Sequence, residues 1–213
     1  MNKPKFITFE GGEGSGKSTQ SKKLYEYLLA KDIKAIHTRE VGGTPEAEKI
    51  RDILVHSQLY QTSELMLVMA ARYEHINKVI ARALADNHWV ICDRFIDSSA
   101  CYQSSDSGLS IEDIFALHYK LMKAPASDKA IMPDITFFMD LPPEMGLKRS
   151  MQTRDVNKFE EKDMVFHQQI YEKFKVIASK FPDRIKSINC AMRDEGEVAT
   201  VIRQLVQDLG KWE

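Results

Sequence analysis

The chain has 213 residues, 43% of them hydrophobic, and its 30 Lys and Arg against 31 Asp and Glu leave a formal charge of -1. That length suits one domain with a substantial core rather than two. The balanced charge excludes a general basic field for a nucleic-acid backbone and a polybasic tail addressed to a membrane. Cys92, Cys101 and Cys190 form no CxxC pair, which points to small buried residues in a reducing compartment, by default the cytoplasm. No apolar run approaches transmembrane length, and the opening MNKPKFITFEGG enters a glycine-rich loop directly, so no signal peptide is expected.

In chain order, short apolar runs alternate with longer stretches of helical period. Phe6 to Glu10, Ala35 to Arg39, Trp89 to Asp93, Ile135 to Leu141 and Ile185 to Asn189 read as strands, most of them too apolar to be half-exposed. Lys17 to Lys31, Pro45 to His56, Ser63 to Asn87, Ser110 to Lys123, Pro143 to Thr153, Lys158 to Lys180 and Glu195 to Trp212 read as helices. This alternation predicts an α/β fold, a five-stranded parallel sheet with helices on both faces and ligands beyond the carboxyl ends of the strands. The least regular segments are Gln103 to Leu109, Ala124 to Met132 and Arg149 to Lys162. The last, of mixed charge, reads as a flap over a ligand site, with a solvated helix end as the alternative.

After the first strand comes GGEGSGKS, residues Gly11, Gly12, Glu13, Gly14, Ser15, Gly16, Lys17 and Ser18, followed by Thr19. It fits GxxxxGK[ST] between a strand and a helix, the context that makes the pattern a phosphate-binding loop. Backbone N–H groups there form an anion-binding concavity at the positive end of the following helix. Lys17 would reach the outer phosphates and the Ser18 hydroxyl would ligate magnesium. A glycine-rich turn with an exposed lysine is the alternative.

Three further clusters lie at strand ends. His37 to Thr44 places Arg39 at the ligand edge of the sheet; Asp93-Arg94 ends another strand with an acid for metal-bound water and a guanidinium that can fork onto phosphate. Asp97 to Gln103 then offers hydroxyls, a ring and a carboxamide suited to the edge of a base. Each has a structural alternative: a surface arginine, an Asp93-Arg94 ion pair, a helix cap at Ser99.

The segments FEGGEGSGKSTQ, TREVGGT, AARYEH, CDRFIDSSACYQ and PDITFFMDLPPEMGLKR, in this order and at these spacings, resemble the bacterial thymidylate kinase family over almost the whole chain. The resemblance implies the three-layer P-loop nucleoside monophosphate kinase fold with a short lid, ATP as donor, magnesium, dTMP as acceptor, and a homodimer. It also implies roles by position. Glu13 approaches the acceptor sugar and its phosphate region; Arg39, Arg72 and Arg94 surround the acceptor nucleotide; Ser99, Tyr102 and Gln103 select base and deoxyribose; Asp93 is the acid of the DR[YF] motif. With a small residue, Gly14, after the loop acid, the catalytic arginine is expected from the lid, where Arg149 and Arg154 are both candidates.

Two positions depart from the family pattern. Val41 stands where TREPGGT has proline, which removes no chemical group. Val68 stands where an aromatic residue would stack on thymine. The chemistry asks chiefly for positioning and charge neutralisation, because a phosphate monoester's second pKa is about 6 and no general base is required. A different class, a P-loop switch such as a GTPase, would carry NKxD and DxxG, and neither occurs here. A kinase for another nucleoside or nucleoside monophosphate is the alternative among enzymes.

Overall fold

The structure, a computed structural model, describes residues 3–104, 108–124, 127–150 and 162–210. Five strands, β1 (Phe6–Glu10), β2 (Ala35–Arg39), β3 (Trp89–Asp93), β4 (Ile135–Asp140) and β5 (Ile185–Asn189), form one sheet in the order β2-β3-β1-β4-β5. All four pairings are parallel. The central strand β1 is buried at every position, whereas the outer strand β2 is buried only at Ala35 and β5 only at Ile185 and Ile188. A strand covered on both faces is mostly apolar, and its polar members Thr8 and Glu10 are hydrogen-bonded inside the core; an edge strand can be more polar.

Side-chain alternation divides the core in two. Ile7, Phe9, Ile91 and Phe137 pack on one face against Leu24 and Leu28 of α1 (Lys17–Ala30) and Ile202 and Val206 of α9 (Glu195–Gly210). On the other face, Phe6, Val90, Cys92 and Phe138 meet Met69 of α3 (Gln61–His75), Ala100 of α5 (Ile96–Tyr102), Ile114 of α6 (Ile111–Leu121) and Phe174 of α8 (Met164–Lys180). The result is a helix–sheet–helix sandwich, the three layers expected from the alternation. Registers pair Arg39 with Asp93 and Asp93 with Phe9, so three strands end together beside the phosphate loop.

Local chemistry sets the element ends. Thr44 accepts from the Ala47 amide at the start of α2 (Pro45–His56), with Pro45 in the first turn. Ser110 and Asp113 form a reciprocal capping box at α6. Asp163 caps α8, so that helix begins at Met164, whereas the sequence predicts a start at Lys158. The predicted helix from Ser63 to Asn87 starts earlier, at Gln61, and changes at Ile76–Ile80 to a π-helical turn before α4 (Ala81–Ala85). Ile96–Tyr102, predicted only as a cluster of polar groups after a strand, is helix α5. The predicted Pro143–Thr153 helix is described as α7 (Pro143–Ser150). Most of the expected flap, 151–161 and with it Arg154, lies outside the described residues, as do 105–107 and 125–126 of the other irregular segments. Among the described residues no helix is long and apolar enough to cross a membrane.

Candidate active site

A cleft of about 1170 Å³ opens where β1, β2 and β3 end, and the phosphate loop forms one of its walls. That is just above the range of about 300–1,000 Å³ typical of ligand pockets. The cleft brings together Glu13, Lys17, Ser18, Arg39, Val68, Arg72, Asp93, Arg94, Ser99, Tyr102, Gln103 and Arg149, residues from six elements and the loops between them.

Within the loop, Ser15 Oγ donates to the Gly12 carbonyl at 2.8 Å, and Lys17 Nζ folds back to the same carbonyl at 2.6 Å. Lys17 is 6% exposed. Burial, then repulsion from Arg94, lowers its ammonium to about pKa 8 against the opposing pull of Glu13 and Asp93. Ser18 Oγ donates to Asp93 Oδ2, while Asp93 Oδ1 is buried with no hydrogen-bond partner among the described residues. A hydroxyl beside an unsatisfied carboxylate oxygen, at the mouth of a phosphate loop, suits magnesium, which takes few protein oxygens and completes its shell with phosphate and water.

Arg94 follows β3 in the left-handed region, at φ +69. Its guanidinium pairs with Glu13 Oε1 at 2.6 Å and not with the neighbouring Asp93, and it also donates to the Gly11 carbonyl and Ser98 Oγ, each at 3.1 Å. Tyr102 sits beneath it, with Arg94 Cζ 5.4 Å from the ring centroid, and donates its hydroxyl to Glu13 at 3.3 Å. Burial alone would raise the Glu13 carboxyl, but Arg94, then Lys17 and the Tyr102 hydrogen bond, bring it down to about 2. Glu13 is therefore a fixed anion between two cations.

The base side of the cleft is organised by Arg72, 2% exposed. Its Nε donates to Glu40 at 2.6 Å, and its Nη2 to the Phe95 carbonyl at 3.0 Å and Ser99 Oγ at 2.7 Å. His75 binds the other Glu40 oxygen at 3.0 Å through Nδ1 and Thr38 Oγ1 at 2.7 Å through Nε2. Burial works against the Glu40 charge, yet Arg72 and His75 lower its pKa. One group is left over: Arg72 Nη1 is buried without a partner among the described residues. Val68, one helical turn earlier on α3, is buried in the cleft wall. Ser99 serves first as an acceptor for Arg72, and Gln103, also buried, lines the same wall.

Arg39 lies at the rim, its side chain 51% exposed and paired with Glu48 at 2.7 Å. Sequence reasoning overlooked Arg51, which also lines the cleft and donates to the Val41 carbonyl at 3.0 Å. No motif marks it; its only signal is its position one turn beyond Glu48 on α2. Arg193 and Asp194 of the loop after β5, with Glu195 at the start of α9, complete the wall nearest α1, where Gln20 Nε2 donates to the Glu195 carbonyl at 2.8 Å. Glu10, in sequence no more than the end of a strand, is 1% exposed, its carboxyl raised to about 7 by burial and by the charge of Asp97.

A parallel sheet in this order, a phosphate loop feeding α1, and an Asp93–Ser18 pair beside it define a P-loop nucleotide-binding protein; an arginine-rich second wall is what a phosphoryl-transfer enzyme adds. The family model "Thymidylate kinase" matches residues 9–202. Similar curated proteins include the thymidylate kinase of Rickettsia africae (strain ESF-5), 48% identical over 204 residues covering 96% of this chain and 98% of that one. That of Rickettsia bellii (strain OSU 85-389) is 47% identical over 199 residues, covering 93% and 94%. A crystal structure of thymidylate kinase from Ehrlichia chaffeensis superimposes with a TM-score of 0.76 at 34% identity, covering 96% of this chain and 99% of that one. The chain belongs to the thymidylate kinase family.

Proposed function

We propose that this enzyme transfers the terminal phosphoryl group of ATP to dTMP, giving dTDP, with magnesium accompanying the donor, and that it works as a homodimer in the cytoplasm. The observation that carries the acceptor assignment is Arg72, locked by Glu40, Phe95 and Ser99 on the cleft wall with Nη1 unpartnered. A guanidinium only donates, so it suits a ring carbonyl of thymine and leaves the exocyclic amine of cytosine facing another donor.

In this reading Lys17 binds the outer donor phosphates, and Ser18 with Asp93 holds the magnesium, which supplies charge neutralisation at the donor oxygens. Arg94, with Arg39 and Arg51 along the same wall, takes the acceptor phosphate. That phosphate is largely dianionic at neutral pH, so the residues have no proton to remove; they bring two anions together and hold them in line. Glu13, fixed by Arg94 and Tyr102, stands where it can meet the acceptor sugar. Arg149, on α7 in the cleft wall, and Arg154 are the two candidates for a cation that meets charge in the transition state. The homodimer reading is supported by the outer face of α3, where Met66 and Tyr73, seven residues apart, are 68% and 50% exposed.

The deciding experiment is a coupled ADP-release assay across dTMP, dUMP, dCMP, AMP, GMP and thymidine, with ATP and magnesium. We expect dTMP to lead, ahead of dUMP by roughly 10- to 200-fold, the discrimination available from one methyl group. A preference for dCMP or a purine monophosphate, or ATP hydrolysis indifferent to acceptor, would overturn the assignment.

A further inference from the structure

Glu10 lies in the layer between β1 and α5, on the same face of β1 as Phe6, and no part of the reaction outlined above calls on it. Its two oxygens are both committed. Oε1 accepts the Phe95 amide at 2.7 Å, and Oε2 accepts the Ser98 hydroxyl at 2.5 Å. Ser98 Oγ in turn accepts Arg94 Nη1 at 3.1 Å.

The donors set the direction of this chain. Arginine can only donate, so Ser98 accepts from it and turns its single proton to Oε2, while the Phe95 N–H takes Oε1. In its ionised form Glu10 meets both with acceptors and no donor. A glutamine of the same shape keeps only one acceptor, so either Phe95 N–H loses its partner or Ser98 must turn its proton away from residue 10. The location of these bonds matters too. Arg94 occupies the left-handed region, a conformation that is unfavourable for a non-glycine residue and persists only when the surroundings over-determine it. The Phe9 carbonyl holds the Arg94 amide at 2.9 Å, and Glu10 holds the next amide. Asp97, whose charge opposes Glu10, is itself forked by Arg184 at 2.7 and 2.6 Å.

We propose that Glu10 is a positioning residue for Arg94: through Phe95 N–H it holds the strained backbone turn, and through Ser98 it holds the guanidinium that takes the acceptor phosphate. This rests on the acceptor role proposed for Arg94. The test is a double-mutant cycle of Glu10→Gln and Ser98→Ala, each with Arg94→Ala, using the full chain and saturating either substrate in turn. We expect Glu10→Gln to raise the KM for dTMP by about tenfold or more with the KM for ATP within about twofold, and to cost less than about twofold once Arg94 is alanine. Ser98→Ala should act in the same direction with a smaller effect, and it carries the cycle by itself should Glu10→Gln fail to fold. An equal loss with and without Arg94, or equal loss of both substrates, overturns the proposal. If wild-type enzyme does not use dTMP, the function is misassigned, but the positioning claim is still decided by the Arg94 guanidinium NMR resonances of the substrate-free protein. They should shift in both variants, and unshifted resonances overturn the proposal.

Discussion

The backbones of Gly14 in the phosphate loop and Gly146 on α7 meet with no room for a side chain on either. A Cβ on Gly14 would lie 1.9 Å from the Gly146 carbonyl oxygen, and one on Gly146 would lie 2.3 Å from the Glu13 carbonyl oxygen. Gly14 also has φ +66, which favours glycine independently. Helix α7 is thus seated on the loop, and no arginine could project from position 14 while it stays there.

It follows that Gly146→Ala must separate α7 from the loop, because the atom its Cβ would meet, the Glu13 carbonyl oxygen, is backbone. We expect a folded protein with a Tm lower by several degrees and kcat reduced by about tenfold, as a small misplacement of reacting groups is enough to do. Thermal unfolding together with steady-state kinetics checks this; wild-type values for both would mean that α7 shifts without consequence.

The two arginines assigned to the lid can be separated by single substitutions. A cation that meets charge only in the transition state lowers kcat far more than it raises either KM, by on the order of 10³-fold in related phosphoryl transfers. Arg149→Ala or Arg154→Ala should show that pattern. Wild-type kcat in both variants would remove the lid from the mechanism.

Lys17 predicts a pH dependence. Burial and Arg94 hold its pKa at about 8 in the substrate-free site, so the cationic form is present below that pH and is lost as pH rises through it. The kcat/KM for ATP, which reports the free enzyme, should fall above about pH 8, whereas kcat should hold to higher pH because bound phosphates favour the ammonium. Profiles of both parameters with ATP varied decide the matter; a flat kcat/KM would place Lys17 outside donor binding. Lys17→Ala should abolish transfer while leaving the fold intact.

Arg94→Lys is not a conservative change. An ammonium cannot reproduce a planar fork that satisfies Glu13, Ser98 and the Gly11 carbonyl at once. We expect a severe loss of kcat/KM for dTMP with ATP binding largely retained, measured by kinetics and by nucleotide titration. Equal losses for both substrates would assign Arg94 a structural role.

Val68 is buried in the cleft wall one turn from Arg72. A ring there would add stacking on the base of about 0.5–1.5 kcal/mol. Val68→Phe should accordingly lower the KM for dTMP severalfold. An unchanged or higher KM in a folded variant would show that the side chain does not face the base or that its neighbours already fill the space.

The five strands and the phosphate loop were legible in the sequence because each is a local signal. A strand buried on both faces, such as Phe6–Glu10, is mostly apolar, and the loop is a contiguous run whose backbone itself does the binding. Helix α5 was not legible: in IDSSACY the adjacent serines have low helix propensity, and Ile96, Ala100 and Cys101 are held by the core beneath the sheet rather than by local preference. The π-helical turn at Ile76–Ile80 has no turn or capping residue to announce it, because it lies between α3 and α4 in one continuous helical run.

The pairings that make the site belong wholly to the tertiary structure. In sequence, an Asp93-Arg94 ion pair stood as the alternative to ligand roles for both residues. The β2-β3-β1 order instead sets the end of β3 beside the phosphate loop, so Arg94 reaches Glu13, 81 residues away, and Asp93 turns to Ser18. Arg72 meets Glu40, and Gly14 meets Gly146, in the same way. The residue types and their places at strand ends were written in the chain; which charge neutralises which was decided by strand order and burial, because a buried charge needs a partner and only the folded topology determines which one is within reach.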